Sequence, residues 1–229
     1  MPYAKKTQKP RTRKRTYRRK PRYRKNLVLS KAPIPNKFGA KLRYVDSISV
    51  NPGAAGVAGV HVFRATSCYD PDYTSVGHQP RGFDQWMNMF YHFTVIGAKI
   101  TCEFALTGQT DDRAVVCGVN LKDSATTYSD KNNYTEGRNC RTKLLSGGAA
   151  GDARSCTLTM TYSPKKFLGQ AHPLEGANLK GSATANPTED SCFHVWAAPT
   201  GSADLETIAV HVRIDYLVIF TEPVQPSQS

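Results

Sequence analysis

Lys5, Lys6, Lys9, Arg11, Arg13, Lys14, Arg15, Arg18, Arg19, Lys20, Arg22, Arg24 and Lys25 put thirteen cationic side chains into the first twenty-five residues, with no Asp or Glu among them. Side chains of this type at this density do one kind of chemistry: they neutralise a polyanion. Where the polyanion is nucleic acid, each neutralised phosphate releases condensed counterions. The resulting affinity is strong, ignores sequence and falls steeply with salt. Arginine outnumbers lysine six to three between Arg13 and Lys25, which suits forked contacts with phosphate oxygens. Tyr17 and Tyr23 stand among the arginines, where their rings can stack on unpaired bases. Pro2, Pro10 and Pro21 oppose a continuous helix and so a basic recognition helix of the zipper type. The same residues read as a nuclear-localisation patch. A membrane surface fits them poorly, because no apolar face accompanies the charge.

These side chains account for the whole net charge. The 229 residues hold 31 Lys+Arg and 18 Asp+Glu, a net charge of +13, so residues 26–229 carry 18 of each sign and are formally neutral. A run of like charge with almost nothing to bury is expected to be disordered in free solution. The expected organisation is a basic arm over residues 1–25, a proline-broken linker over 26–39, a β-domain over 40–221 and a short tail over 222–229. The β-domain is long enough for a sizeable core. No apolar run approaches the ~20 residues of a membrane span, and the basic N-terminus lacks the apolar segment of a signal peptide. The chain is therefore expected to be intracellular when made.

Strand-like alternation organises the rest. Leu42, Tyr44, Ile48 and Val50 share one face, interrupted by Asp46, which a bulge or a buried carboxylate pair would explain. Val60 to Cys68 reads as a second strand, followed by a long polar loop. Phe83, Trp86, Met87 and Phe90 fall at i, i+3, i+4 and i+7, one face of a short helix expected to cap one end of a sheet sandwich. Ile96, Ala98, Ile100, Cys102, Phe104 and Leu106 alternate without a miss. Ala114 to Leu121, Cys156 to Tyr162 and Cys192 to Ala198 give three more strands. In the last strand Ile208, Val210, Val212, Ile214, Tyr216, Val218 and Phe220 share a face, and Leu217 and Ile219 on the other predict burial on both sides towards its end. The expected core includes Ile96, Ile100, Phe104, Ile208, Val212, Ile214 and Val218. Seven strands are visible, and the long loops 122–154 and 163–190 leave room for an eighth.

Other chemistry is thin. Cys68, Cys102, Cys117, Cys140, Cys156 and Cys192 form no Cys-x-x-Cys pair and no finger spacing with histidine, so they read as small buried hydrophobes, with zinc and disulfides as minority readings. Asp70 and Asp72 have the types of a calcium pair, but two loop carboxylates are more often solvated. His61, His78, His92, His172, His194 and His211 are scattered and read as ordinary packed or solvated histidines. No nucleophile elbow, phosphate-cradling glycine loop or metal-ligand cluster appears, which argues against an enzyme, and no cofactor or metal is called for.

Several local segments carry a resemblance: Gly82-Phe83-Asp84-Gln85-Trp86 turning into a helix, Val95-Ile96-Gly97-Ala98-Lys99-Ile100 as a strand, and Tyr162-Ser163-Pro164-Lys165-Lys166-Phe167. With the basic arm and the linker, the chain resembles the capsid proteins of circoviruses and related circular single-stranded-DNA viruses, although its arm is richer in lysine than their most arginine-rich arms. Satellite plant-virus coats share that architecture. The resemblance implies an all-β fold, a single eight-stranded antiparallel jelly roll with a short helix and long loops behind the disordered arm. It implies self-assembly, in sixty copies, into an icosahedral shell, with the arms inward on a single-stranded DNA genome. It also implies nuclear import receptors as partners and the virion and host nucleus as locations; no attachment factor is indicated. The alternative is a non-viral nucleic-acid-condensing β-sandwich protein, whose arm would look the same.

Overall fold

The computed structural model describes residues 34–106, 114–146, 154–202 and 204–226. The arm residues and most of the linker lie outside that set. Nine strands are present among the described residues: β1 (Lys37–Val50), β2 (Gly59–Arg64), β3 (Phe90–Leu106), β4 (Val115–Lys122), β5 (Cys140–Leu145), β6 (Ser155–Tyr162), β7 (Lys180–Gly181), β8 (Cys192–Pro199) and β9 (Ile208–Pro223). Three short helices join them: α1 (Phe83–Met87), α2 (Lys131–Thr135) and α3 (Pro164–Phe167).

The strands form two antiparallel sheets. One has the order β1-β9-β3-β6, with β7 added beside β3; the other runs β2-β8-β4-β5. This alternation of strands between two facing four-stranded paths is the jelly-roll topology. β9 is central to the first sheet, pairing from Lys37↔Thr221 to Val50↔Ile208 on one side and from Phe90↔Pro223 to Leu106↔Ile208 on the other. Its predicted inward face, Ile208 to Phe220 at every second residue, is buried throughout. The core fills the space between the sheets with Ile100, Phe104, Val212, Ile214 and Val218 from the first and Phe63, Val119, Phe193 and Val195 from the second. Cys117 in β4 and Cys156 in β6 hydrogen-bond thiol to thiol between the sheets. Five of the six cysteines are buried; Cys140 is half-buried.

The α1 stripe does its expected work. Trp86 is stacked between Phe38 (4.2 Å between ring centres) and Phe220 (5.8 Å), and Phe83 meets Phe93 edge-on at 5.3 Å. The helix ends at Met87, and Phe90 buries itself as the first residue of β3 instead of as a fourth helical contact.

Four expectations are corrected. Ile96 is not in the core: the pairing of β3 with β9 shifts between Val95↔Val218 and Gly97↔Leu217, so Ile96 is the extra residue of a bulge and is only half-buried. The extra residue shifts the phase of the strand: buried side chains are Phe93 and Val95 before it and Ala98, Ile100 and Phe104 after it, so Ile96, in step with the later set, reads as core. Asp46 needs neither a bulge nor a second carboxylate; β1 runs unbroken past it, and the Tyr44 hydroxyl donates to its Oδ2 at 2.8 Å. On the far face of β9 Leu217 is 50% exposed and Ile219 only partly buried, and burial is reached only at Thr221. β2 stops at Arg64, short of Cys68. The eighth strand, for which loop 122–154 left room, is β5.

Candidate nucleic-acid interface

All fifteen residues assigned to nucleic acid from the sequence, Lys5 to Lys25 with Tyr17 and Tyr23, lie outside the described residues. What the structure does show is how the body disposes the outer faces of its two sheets, and these differ completely.

The outer face of the β2-β8-β4-β5 sheet is covered by the chain itself. Trp196 points outward from β8, and the β4–β5 connection folds over it so that Tyr134 of α2 stacks on the indole at 5.2 Å. Both rings are fully buried, with Ala198, against Val60, Val116 and Cys140. Gly118 is required beneath the indole, since a Cβ there would sit 2.3 Å from the ring. No buried side-chain polar atom of the cover lacks a hydrogen-bond partner. Trp196 Nε1 donates to Asn120 Oδ1 at 2.7 Å, and Asn120 Nδ2 donates to the Tyr134 carbonyl at 2.7 Å. His194 lies 2.8 Å through Nε2 from the Ser124 carbonyl and 3.4 Å through Nδ1 from the Tyr134 hydroxyl. Burial, more than the repulsion of Lys122, lowers the His194 pKa to about 4 against the pull of its bond to Ser124. It is therefore a neutral, structural histidine.

The β2–α1 connection is also self-satisfied. Arg64, largely buried, donates Nη1 to Asp70 Oδ2 at 2.8 Å and places its guanidinium 4.2 Å from the Tyr73 ring centre. Asp72 is buried, not solvated: it accepts from the Thr74 amide and hydroxyl at 2.9 and 2.8 Å and lies 3.0 Å from His61 Nε2. Each carboxylate thus has its own protein partners. Among the described residues no group of three His, Cys, Asp or Glu side chains converges as a metal site would require.

Among the described residues, the outer face of the β1-β9-β3-β6 sheet has no such cover. Register places its side chains in rows: Arg43, Asp215, Lys99 and Thr161 in one, Val45, Arg213, Thr101 and Thr159 in the next, Ser47, His211, Glu103 and Thr157 in a third. Thr157, Thr159 and Thr161 at the β6 edge are exposed, as are Lys41, Arg43 and Lys99. Asp215 is the anchor of this surface. Arg43 Nε meets its Oδ1 at 2.7 Å, and Lys41 Nζ stands 3.6 Å from Oδ2. Partial burial alone would raise the Asp215 pKa. The Arg43 hydrogen bond and the charges of Arg43, Lys41 and Arg213 outweigh it and hold the carboxyl below its usual range.

Sequence reasoning placed the polyanion chemistry in the arm and missed this face, because its cations come from three strands far apart in the chain. The one available signal was the polar side of β3 and β9, where Lys99, Arg213 and Asp215 alternate with core residues.

No protein-family model matches the chain, and no curated protein sequence matches it. Solved structures similar to it include tobacco necrosis virus, with a TM-score of 0.49 at 6% identity over 84% of this chain and 86% of that one. A decameric BFDV capsid protein gives 0.47 at 12% identity over 81% and 99%, and Desmodium yellow mottle tymovirus 0.42 at 9% over 90% and 99%.

Proposed function

We propose that this chain is a capsid protein, structural and not catalytic, that self-assembles into a small icosahedral shell and packages single-stranded DNA through its basic N-terminal arm. The observation that carries the reading is the partition of charge: all +13 lies in residues 1–25, ahead of a formally neutral body. A neutral body can approach its copies without long-range repulsion, while the arms repel one another until a polyanion neutralises them. The jelly roll supports the same reading, because a protein that only condensed nucleic acid would need no 204-residue sandwich behind its arm. The arm also serves as the signal read by nuclear import receptors, which places the protein in the host nucleus before the virion.

Sedimentation of the full chain with and without single-stranded DNA tests this. The expected result is a megadalton particle containing nucleic acid. Deleting residues 1–25 is expected to leave a folded body that forms empty or aberrant particles. Thirteen cations set an upper limit of about 9 on the salt slope, with roughly half that reached in practice. A small monomer that binds DNA without assembling would replace the shell with the condensing-protein reading, and normal nucleic-acid content after the deletion would remove the arm's role.

A further inference from the structure

The uncovered sheet face sorts charge in a way that neutrality of the whole body conceals. Around the carboxylate of Asp215 stand Lys41 and Arg43 from β1, Lys99 from β3 and Arg213 from β9. With Glu103 as the second anion of this face, four cations against two carboxylates leave a surplus of two positive charges, and Arg213 Nε is buried without a hydrogen-bond partner among the described residues. Beside them the missing side chain of Gly97 opens a hollow of about 300 Å³, lined by Ala98, Leu217, Tyr162 and Thr161, with Lys41, Lys99 and the carboxylate of Asp215 at its rim. Its lining is apolar below, and above it two cations stand against one anion. Leu217, half exposed, offers the largest apolar surface.

We propose that this hollow is a second contact for single-stranded nucleic acid, one nucleotide deep, with a base or sugar on Leu217 and the flanking phosphates on Lys41 and Lys99. The two lysines belong to strands separated only by β9, about 10 Å at the backbone, so their long side chains reach phosphates on either side of one nucleotide. A duplex would present phosphates but no free base to the apolar floor. Another copy of the chain would meet the same cations with its own exposed carboxylates, and sedimentation of the DNA-free protein separates that occupant from a nucleotide. The inference takes the identity of the polyanion from the proposed function, but the site itself owes nothing to the arm.

The test uses the full chain with its thirteen arm cations changed to Gln, titrated with a labelled mixed-sequence twenty-nucleotide DNA strand. Binding is expected to persist at low salt and to weaken about 25-fold over a tenfold rise in salt, as two phosphate contacts on a single strand require. Adding Lys41→Gln and Lys99→Gln is expected to reduce the remaining affinity at least tenfold. In the otherwise unaltered chain the same pair is expected to lower the salt slope by about 1.4. No binding by the arm-neutral chain, or binding that ignores the lysine pair, overturns the proposal. So does a lysine pair that changes the sedimentation of DNA-free protein instead, since the hollow would then seat another copy. If the arm-neutral and natural chains bind equally well, the arm reading fails while the hollow stands.

Discussion

The two sheets of this sandwich share one core and have opposite outer faces. On the β2-β8-β4-β5 side a second small apolar cluster, Tyr134 on Trp196, seals the sheet beneath a connection whose buried side-chain polar atoms are all paired. On the β1-β9-β3-β6 side four cations, the carboxylates of Asp215 and Glu103 and three threonines face outward with no covering layer among the described residues. The comparison separates two uses of a sheet face. One is completed by the chain and contributes to stability; the other is uncovered among the described residues, which is why we propose that it binds.

The comparison can be broken or sharpened in four ways, beginning with the core that both sheets need. Ile100→Asp or Val212→Asp places an unpaired charge at a fully buried position, at a cost of several kcal/mol. Neither variant is expected to give a soluble domain with a cooperative melt. Next, Trp196→Ala should cost about 3–5 kcal/mol, as truncation of a buried indole does, whereas Leu217→Ala should stay within about 0.5 kcal/mol. Urea unfolding of the two variants side by side would show it, and equal losses would mean that both faces are structural.

The third concerns pH. His194 is held neutral with its pKa lowered to about 4 from 6.5, so the unfolded chain takes up its proton first as pH falls. The stabilisation is complete above pH 6.5 and is lost progressively between 6.5 and about 4, amounting to up to about 3 kcal/mol. His194→Gln is expected to flatten that part of the stability profile. The smallest effect belongs to the open face: Asp215→Asn removes exposed pairs worth less than about 1 kcal/mol. It should leave the melting temperature nearly unchanged while tightening single-strand binding, because the carboxylate nearest Lys41 and Arg43 is then neutral.

Much of this architecture was legible in the alternation of apolar residues. β3, β6 and β9 announce themselves because one side of each is core, and the aromatic stripe of α1 announces itself by its helical spacing. β5 was not legible because it is an edge strand whose Arg141, Thr142, Lys143 and Leu144 are all exposed, leaving only Leu145 buried. Ile96 was misplaced because a bulge inserts a residue without breaking the pattern on either side. Asp72 was read as solvated because its partners, His61 and Thr74, are recognisable only once the loop has closed on β2. The cationic face was illegible for a related reason: Lys41, Lys99 and Arg213 are brought together by register alone.

The pairing order also bears on how the protein is made. β8 and β9, the middle strands that tie β2 to β4 and β1 to β3, follow every other strand in the chain. A ribosome therefore releases the cationic arm first and the joining strands last, so the β1-β9-β3-β6 sheet cannot close until β9 has been made. A chain stopped before Ile208 keeps β1 and β3 but lacks the strand between them, and is expected to be digested throughout by a protease that spares the finished body. Errors of early termination thus yield degradable chains, with no smaller folded body to compete with the finished one.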